Sequence, residues 1–335
     1  MEDIIRLAHG SGGKLSHELI KNIFLPHFNN PYLAPLADSA VVDIEGIKIA
    51  FTTDSYVIRP LFFPGGDIGK LAVAGTINDL TVMGAKPVFI SCGIIIEEGF
   101  SISKLKKIIF SLNETAKHAG VSVVTGDTKV VERGSADGIF INTSGIGIVH
   151  PKANFSLSRI KIGDKIIVNG SLGDHSVAIL SKREGLEFEL QVKSDCSPLN
   201  GLIEKLEPYF ENIKFMRDPT RGGLAGILNE IADGQNFGIE LWEEEIPLRE
   251  ETIAICELLG LDPLYLANEG KIVLFVEQSA ATSILQTLQK NPLGKESKII
   301  GEVVAEPQGK VYLCTSIGTK RVLDMLVEDQ LPRIC

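Results

Sequence analysis

Residues 68–96, IGKLAVAGTINDLTVMGAKPVFISCGIII, decide the fold class of this chain. Apolar and small residues recur at the i, i+3, i+4, i+7 spacing over residues 68–75, which predicts a helix with one buried face. The glycine and proline of residues 83–87 end that helix. The apolar run 88–96 then predicts a buried strand. A helix followed directly by a buried strand is typical of an α/β layer.

A hairpin is predicted on the N-terminal side of this unit. Residues 37–44 and 47–53 are strand-like and are joined at Glu45-Gly46, a tight-turn pair. Asp38 and Asp54 then lie at the same end of the hairpin. They either share one site or are solvated turn acids.

A polar cluster, TGDTK at residues 125–129, follows on the C-terminal side. A second amphipathic helix over residues 105–112 leads to a strand, residues 121–124, that we expect to end at this cluster. Ligands of α/β layers bind at the carboxyl ends of strands, so a binding site is expected here. A further strand, residues 138–149, completes this half.

The second half has its own alternation of elements after a boundary at residues 151–163. Periodicity predicts strands at 165–169, 272–276, 298–304 and 310–314, helices at 199–206 and 224–231, and a last helix carrying Leu323, Leu326 and Val327.

Three polar segments carry candidate functional residues. HGSGGK at residues 9–14 is either a phosphate-binding loop or a mobile turn, and it lacks the P-loop spacing. In RDPTRGG at residues 217–223, Asp218 or Thr220 is expected to cap the next helix, and the glycines leave its first amides open to an anion. Glu269 precedes an apolar strand and is either a turn acid or a base.

Composition narrows the class of protein. A length of 335 residues predicts about two domains. The net charge of −10 argues against nucleic-acid binding, and an acidic protein that handles phosphates needs a cation between them. The sequence has neither a signal peptide nor an apolar run of membrane-spanning length, so we expect a cytoplasmic protein that binds no membrane. The five cysteines are odd in number and far apart, which indicates neither a disulfide framework nor a zinc site.

The sequence ends in Leu-Pro-Arg-Ile-Cys, with a thiol on Cys335. Pro332 disfavours a helix before it, so an extended tail is predicted. The seven residues after Glu328 span roughly 23 to 25 Å when extended. That is the reach of a swinging arm, and the alternative is a frayed terminus without a role.

These motifs together resemble the aminoimidazole ribonucleotide synthetase (PurM-like) superfamily of ATP-using enzymes. The resemblance rests on DSA (38–40), TTD (52–54), PGG (64–66), GTINDL (75–80), GAKP (84–87), GDTKVV (126–131) and DPTRGG (218–223). With the Pro-Arg-Ile-Cys ending, it extends to the superfamily's hydrogenase-maturation members and covers essentially all 335 residues.

The resemblance implies a two-domain PurM-like fold that combines α/β and α+β parts. Residues 1–150 would form an ATP-binding and dimerisation domain, whose strands build a β-barrel shared by a homodimer. Residues 151–328 would form an α+β domain, and residues 329–335 a mobile tail.

The resemblance also implies the reaction. A carbamoyl group arrives on the Cys335 thiol from a carbamoyltransferase, HypF. It is dehydrated with ATP to a thiocyanate, and passes to an iron-carrying HypC–HypD complex as a cyanide ligand of [NiFe] hydrogenase. The resemblance assigns the role of Mg²⁺ or phosphate-side ligands to Asp38, Asp54, Asp79 and Asp218. It assigns nucleotide contacts to Gly12, Gly13, Lys14, Asn78, Asp127, Thr128, Arg221 and Gly222.

Lys129 and Glu269 correspond to a lysine and a glutamate near the modified cysteine. The amide oxygen must become a good leaving group, and phosphorylation provides one. Glu269 is the expected base, and Lys129 would contact either the transferred oxygens or the amide. The alternatives are another ATP-dependent phosphotransferase or synthetase of the superfamily, such as a kinase or selenophosphate synthetase, and a non-catalytic adaptor that docks through its tail. The 9–14 loop lacks the reactive cysteine of selenophosphate synthetases.

Overall fold

The computed structural model describes residues 4–28, 30–185, 192–327, 331 and 333–335, arranged as two domains. The first contains helical turns at α1 (Lys14–Leu19), a π-helical turn (Ile20–Phe24) and α2 (Leu25–Phe28). Its remaining elements are β1 (Ala40–Ile44), β2 (Ile47–Tyr56), β3 (Phe62–Phe63), β4 (Gly66–Asp67), α3 (Ile68–Val82), β5 (Ala85–Glu97), α4 (Ile102–Ala119), β6 (Ser122–Val131) and β7 (Ile139–Val149).

A five-stranded sheet in the order β1-β2-β7-β5-β6 organises this domain. The predicted hairpin is present: Glu45 and Gly46 have φ of 53° and 86°, and Ala40 pairs with Phe51. Helix α3 begins after Asp67, whose carboxylate accepts from the amides of Gly69 and Lys70. It packs against β2, β5 and β7 and is buried over almost its whole length, because α4 covers its outer face.

The second domain is built on a seven-stranded mixed sheet in the order β14-β13-β10-β12-β8-β11-β9. Its strands are β8 (Lys165–Val168), β9 (Ile213–Arg217), β10 (Gly238–Trp242), β11 (Val273–Val276), β12 (Lys298–Val304), β13 (Val311–Cys314) and β14 (Lys320–Leu323). Its helices are α5 (Asp174–Arg183), α6 (Asn200–Ile203), α7 (Gly223–Ala232), α8 (Glu250–Leu259) and α9 (Gln278–Gln289). Within the described residues, no helix is both long and apolar enough to cross a membrane.

The two domains share buried surface. One apolar cluster joins Leu80 and Val149 of the first domain to Leu199 and Leu274 of the second. Asn78 of α3 also donates to the Ser197 carbonyl at 3.1 Å. The end of α3 is therefore held against the second domain.

Three expectations from the sequence were wrong. Residues 125–129 lie inside β6 rather than after its end, and β6 is an exposed edge strand rather than a core strand. The predicted last helix is absent: residues 320–323 form β14, and residues 324–327 follow it without helix. Helix α7 has Gly222 at its N-cap and no side-chain cap from Asp218 or Thr220.

One protomer forms an open sheet, not a closed barrel. Pro332 and residues 328–330, which include the end of the second domain and the start of the predicted tail, lie outside the described residues. Residues 333–335 are described, and they are packed onto the protein, with Ile334 only 3% exposed.

Candidate active site

Three aspartates converge where the domains meet. Asp38 precedes β1, Asp79 lies near the end of α3, and Asp218 directly follows β9. One carboxylate oxygen from each lies within 4.8 Å of the others. Thr52 orders the group, since its hydroxyl donates to Asp79 Oδ2 at 2.8 Å and lies 2.9 Å from the Asp38 carbonyl. The structure thus brings together three of the four predicted metal ligands.

The electrostatics of this cluster favour a cation. Burial raises the pKa of Asp38, Asp79 and Asp218, and neighbouring carboxylates raise each of them further. Arg217 opposes this for Asp38, with Nε 3.2 Å from Oδ1, but it is shared with Glu230 at 2.9 Å. Clustered hard oxygen ligands whose negative charge is only partly compensated fit Mg²⁺.

Asp54 lies beside the cluster, on β2. The Tyr56 hydroxyl donates to its Oδ2 at 3.0 Å. Burial raises the pKa of Asp54, and the Arg221 guanidinium partly offsets the rise. Asp54 is not among the three clustered carboxylates, but its charge also raises the pKa of Asp79 and Asp218.

Glu269 is a buried acid with spare hydrogen-bonding capacity. It is 3% exposed, and its Oε1 has no hydrogen-bond partner among the described residues. Burial raises its pKa well above the ordinary value, and Asp218, Asp195 and Asp54 raise it further. A carboxylate of this kind accepts a proton readily.

The backbone around Glu269 is fixed by two side chains. Its N–H donates to Asp195 Oδ1 at 3.1 Å, and its carbonyl accepts from Asn78 Nδ2 at 3.3 Å. The Asn78 Oδ1 accepts from the Leu199 amide at 2.8 Å. Because Asn78 is 1% exposed and its amide is engaged by backbone groups, the structure gives this predicted nucleotide contact a role in positioning Glu269.

The two glycine loops meet each other. A Cβ added to Gly12, where φ is 99°, would lie 2.5 Å from Arg221 Cβ. At Gly13 it would lie 2.8 Å from the Leu326 carbonyl. Two amides of the first loop are already bonded: Gly12 N donates to Ser16 Oγ at 2.9 Å and Lys14 N to the Leu326 carbonyl at 2.9 Å.

Arg221 links these loops to Cys335. The pKa of Arg221 is raised, and the largest cause is the negative charge at Cys335. Burial opposes the rise, and the carboxylates of Asp54, Glu269 and Asp79 add to it. Gly222, next along the chain, has φ of 77° and is the N-cap of α7. Cys335 also packs against the apolar cluster that contains Tyr56 and Ala267, each two residues from one of the buried acids Asp54 and Glu269, so the last residue lies close to them.

Asp127, Thr128 and Lys129 lie apart from this site within one protomer. Strand pairing connects Asp54 to Thr143, Cys92 and Gly126 in successive strands. Three strand spacings amount to ~14 Å. Lys129 Nζ instead pairs with Asp127 Oδ2 at 2.9 Å, and both side chains are largely exposed. The lysine holds the pKa of Asp127 below its ordinary value.

Sequence reasoning missed His175, Asp195 and Lys271. Asp195 Oδ2 lies 3.0 Å from Lys271 Nζ, an ion pair whose geometry is not that of a hydrogen bond. Burial is the largest influence and opposes ionisation of Asp195, but Lys271, His175 and the Glu269 amide together outweigh it, and the pKa of Asp195 is lowered. The available signal was charge within buried segments, in GDHS at 173–176 and SDCS at 194–197.

Comparisons with known proteins agree with this geometry. The model of the AIR synthase related protein family matches with its N-terminal domain over residues 36–149 and with its C-terminal domain over residues 161–314. The carbamoyl dehydratase HypE of Bradyrhizobium diazoefficiens is 48% identical, covering 99% of this chain and 96% of its own. HypE of Escherichia coli K12 is 47% identical, covering 99% of both.

Solved structures of HypE proteins are also similar to this chain. A HypE–HypF complex contains a chain that superposes with a TM-score of 0.87 at 49% identity, covering 92% of this chain and 99% of its own. HypE in complex with ATP superposes with a TM-score of 0.83 at 46% identity, covering 99% and 100%. This chain belongs to the HypE carbamoyl dehydratase family of AIR synthase related proteins.

Proposed function

We propose that this protein dehydrates a carbamoyl group carried on the Cys335 thiol to a thiocyanate, using ATP, for the cyanide ligand of [NiFe] hydrogenase. The observation that carries the proposal is the position of Cys335, whose main-chain oxygen accepts from the Val57 amide directly after the strand that carries Asp54. This is close to the aspartate cluster and to Glu269, whose Oε1 has no hydrogen-bond partner among the described residues. Membership in the HypE family supports the reaction class.

Asp38, Asp79 and Asp218 would hold Mg²⁺, with Asp54 as a further ligand or a phosphate-side charge. When bound, Mg²⁺ and ATP supply an activated phosphoryl group that turns the amide oxygen into a leaving group. The glycine loop at residues 9–14 and Arg221-Gly222 lie together and form the proposed nucleotide contact.

Glu269 is the proposed base. Forming a nitrile from the amide requires loss of the nitrogen-bound protons together with the oxygen. The raised pKa of Glu269 suits it to take a proton at its Oε1, and its fixed backbone keeps the carboxylate at one place. Arg221 is positioned to attract the acidic tail end and to offset negative charge that develops there.

A homodimer is part of the proposal. On the sheet face opposite α3, Phe51, Ile146 and Phe89 are neighbours on three strands and are 48%, 41% and 45% exposed. The edge strand β6 offers unpaired backbone groups to a second copy. Since Lys129 is remote from the acids of its own protomer, a direct role for Lys129, Asp127 and Thr128 requires that they reach the site of the second copy.

Mass spectrometry of the intact protein tests the reaction. Incubation with a carbamoyl donor and the carbamoyltransferase HypF should add one carbamoyl group to Cys335, and ATP should then remove one water. The Cys335→Ala variant should show neither change. Loss of water without ATP, or full turnover by Cys335→Ala, would refute the proposal.

Mixed dimers test the contribution of the second copy. A mixture of Lys129→Ala and Asp218→Asn proteins should regain activity, because one site of each mixed dimer then has an intact set of residues. If Lys129 acts within its own protomer, both sites of the mixed dimer stay defective. The proposed acceptor, a HypC–HypD complex, should take up the cyanide group from the dehydrated protein.

A further inference from the structure

The last three described residues lie in a socket on their own protomer. The amide of Val57 donates to a main-chain oxygen of Cys335 at 3.2 Å, and the amide of Arg59 donates to the Arg333 carbonyl at 3.4 Å. Residues 333–335 thus run alongside residues 57–59, directly after β2. We call this the tail socket, and it is formed by Val57, Arg59, Asp137, His175, Arg183 and Ser194.

Arg333 is held by its side chain as well as its backbone. Its Nη1 pairs with Asp137 Oδ2 at 2.7 Å, and its Nε donates to the Val57 carbonyl at 3.0 Å. The guanidinium of Arg183 donates to the Arg333 carbonyl. Arg333 has φ of 57°, which is unfavourable for a residue with a side chain, so these contacts stabilise a turn that would otherwise be sparsely populated.

Ile334 is held by burial and by His175. It is 3% exposed and belongs to an apolar cluster with Phe63 and Cys196. Its carbonyl lies 3.0 Å from His175 Nε2, and His175 Nδ1 lies 2.7 Å from Ser194 Oγ.

The hydrogen positions follow from the partners of His175. A carbonyl only accepts, so Nε2 carries the hydrogen, and in a neutral ring Nδ1 accepts from the Ser194 hydroxyl. His175 is fully buried, and burial lowers its pKa, which keeps the ring neutral. His175 therefore connects the tail to the segment that includes Asp195.

We infer that the tail socket recognises the side chain of Arg333 and the buried Ile334, and so sets the position of the reacting thiol of Cys335; His175 and Asp137 are positioning residues. The inference rests on the proposed function for the identity of the reacting group. The thiol is on the residue after Ile334, so any shift of Ile334 moves it, and a misplacement of ~1 Å costs ~100-fold in rate. The socket accordingly takes a peptide end that carries Arg-Ile, with a turn at the arginine, before the modified cysteine.

The test combines His175→Ala with His175→Gln, because glutamine places an N–H donor near the position of Nε2. The first readout is the rate at which a thiol reagent modifies Cys335, followed by mass spectrometry of the C-terminal peptide. His175→Ala should raise this rate roughly five- to tenfold, the equivalent of about one hydrogen bond, and His175→Gln should restore much of the protection. The second readout is loss of water from carbamoyl-loaded protein, which should slow in His175→Ala while carbamoyl loading does not.

Arg333→Lys and Asp137→Asn give the same test at partly exposed positions, where folding is not at risk. Arg321→Lys is the matched control, since Arg321 forms an ion pair with Asp262 at 3.0 Å elsewhere on the surface. A synthetic Leu-Pro-Arg-Ile-Ser peptide should compete for the socket and accelerate modification of Cys335, whereas Leu-Pro-Glu-Ile-Ser should not.

Unchanged modification rates in His175→Ala, Arg333→Lys and Asp137→Asn would overturn the inference. A uniform loss of loading, dehydration and melting temperature, with no change in the modification rate, would also overturn it. Absence of dehydration in the unaltered chain would instead refute the proposed function, and the modification rates would still decide whether the socket holds the tail.

Discussion

Removing one charge from the aspartate cluster should stabilise the metal-free protein and abolish its response to Mg²⁺. The change is Asp79→Asn, which is nearly isosteric and leaves an oxygen to accept from the Thr52 hydroxyl. Two unit charges 4.8 Å apart repel by ~3.5 kcal/mol at an effective dielectric constant of ~20. Asp79 has two such neighbours, Asp38 and Asp218.

The realised gain is smaller than the sum of these repulsions. The raised pKa values show that protonation already relieves part of the repulsion, and Arg217 offsets part of the charge on Asp38. We expect the metal-free variant to gain about 1 to 3 kcal/mol at pH 8. An unfolding entropy of ~2.1 cal/mol/K per residue converts this into a rise of roughly 1.5 to 4 °C in melting temperature.

Calorimetric melting with and without Mg²⁺ provides the assay. The unaltered protein should be stabilised by Mg²⁺, and the variant should show a higher melting temperature without metal and little further change with it. Asp233→Asn, an exposed aspartate after α7, is the control and should behave like the unaltered protein. A lower melting temperature for the metal-free Asp79→Asn protein, or an undiminished Mg²⁺ effect, would contradict the electrostatic reasoning.

Three further predictions follow from the same site. Glu269→Gln should lower the rate of thiocyanate formation by roughly 10²- to 10⁴-fold and accumulate the carboxamide form in mass spectra; unimpaired thiocyanate formation would remove Glu269 as the base. The folded-state pKa values of the cluster are raised, so the metal-free folded state binds more protons than the unfolded state and loses stability as pH rises above the ordinary aspartate range. The increase in melting temperature caused by Mg²⁺ should therefore be larger at pH 8 than at pH 5. An equal increase at both pH values would contradict the assignment of the cluster as the Mg²⁺ site. Gly12→Ala should weaken ATP binding in calorimetric titration, because the new Cβ would overlap Arg221. Gly46 also has positive φ but has open space around it, so the control variant Gly46→Ala should bind ATP normally. Equal losses of ATP affinity in both variants would show that the contact with Arg221 is not responsible.

The local sequence predicted elements more reliably than it predicted where they end. Residues 125–129 are polar, and the sequence predicts that the preceding strand ends at them. They continue β6 because valines flank them on both sides, and Gly126 allows close approach to β5: a Cβ there would lie 2.4 Å from the Cys92 carbonyl. Because β6 is an edge strand that is exposed in the protomer, the polarity of its residues did not indicate where the strand ends.

The wrong last helix has a similar cause. Leu323 and Leu326 fit helical spacing, but a turn ending near Gly318, with φ of 80°, returns the chain so that β14 pairs with β13. Strand pairing decided the outcome, and periodicity over a few residues did not contain that information.

The site itself was predictable only in part. Asp38 and Asp54 were placed together by hairpin geometry alone. Asp79 and Asp218 are far away in sequence, and they were added through the superfamily resemblance. The contribution of Asn78 depends on contacts with residues 197–199 and 269 across the domain boundary, which no local pattern encodes.

The seating of residues 333–335 on their own protomer has a kinetic consequence. If Cys335 carries the group to be transformed, the encounter of that group with the catalytic acids of the same protomer is unimolecular. Its rate should therefore not change on dilution while the proposed homodimer stays intact, and there is no Michaelis constant for the carbamoyl moiety. Each protomer then converts one carbamoyl group per loading. The overall rate is limited by how fast the donor loads the Cys335 sulfur and how fast the acceptor removes the product from it.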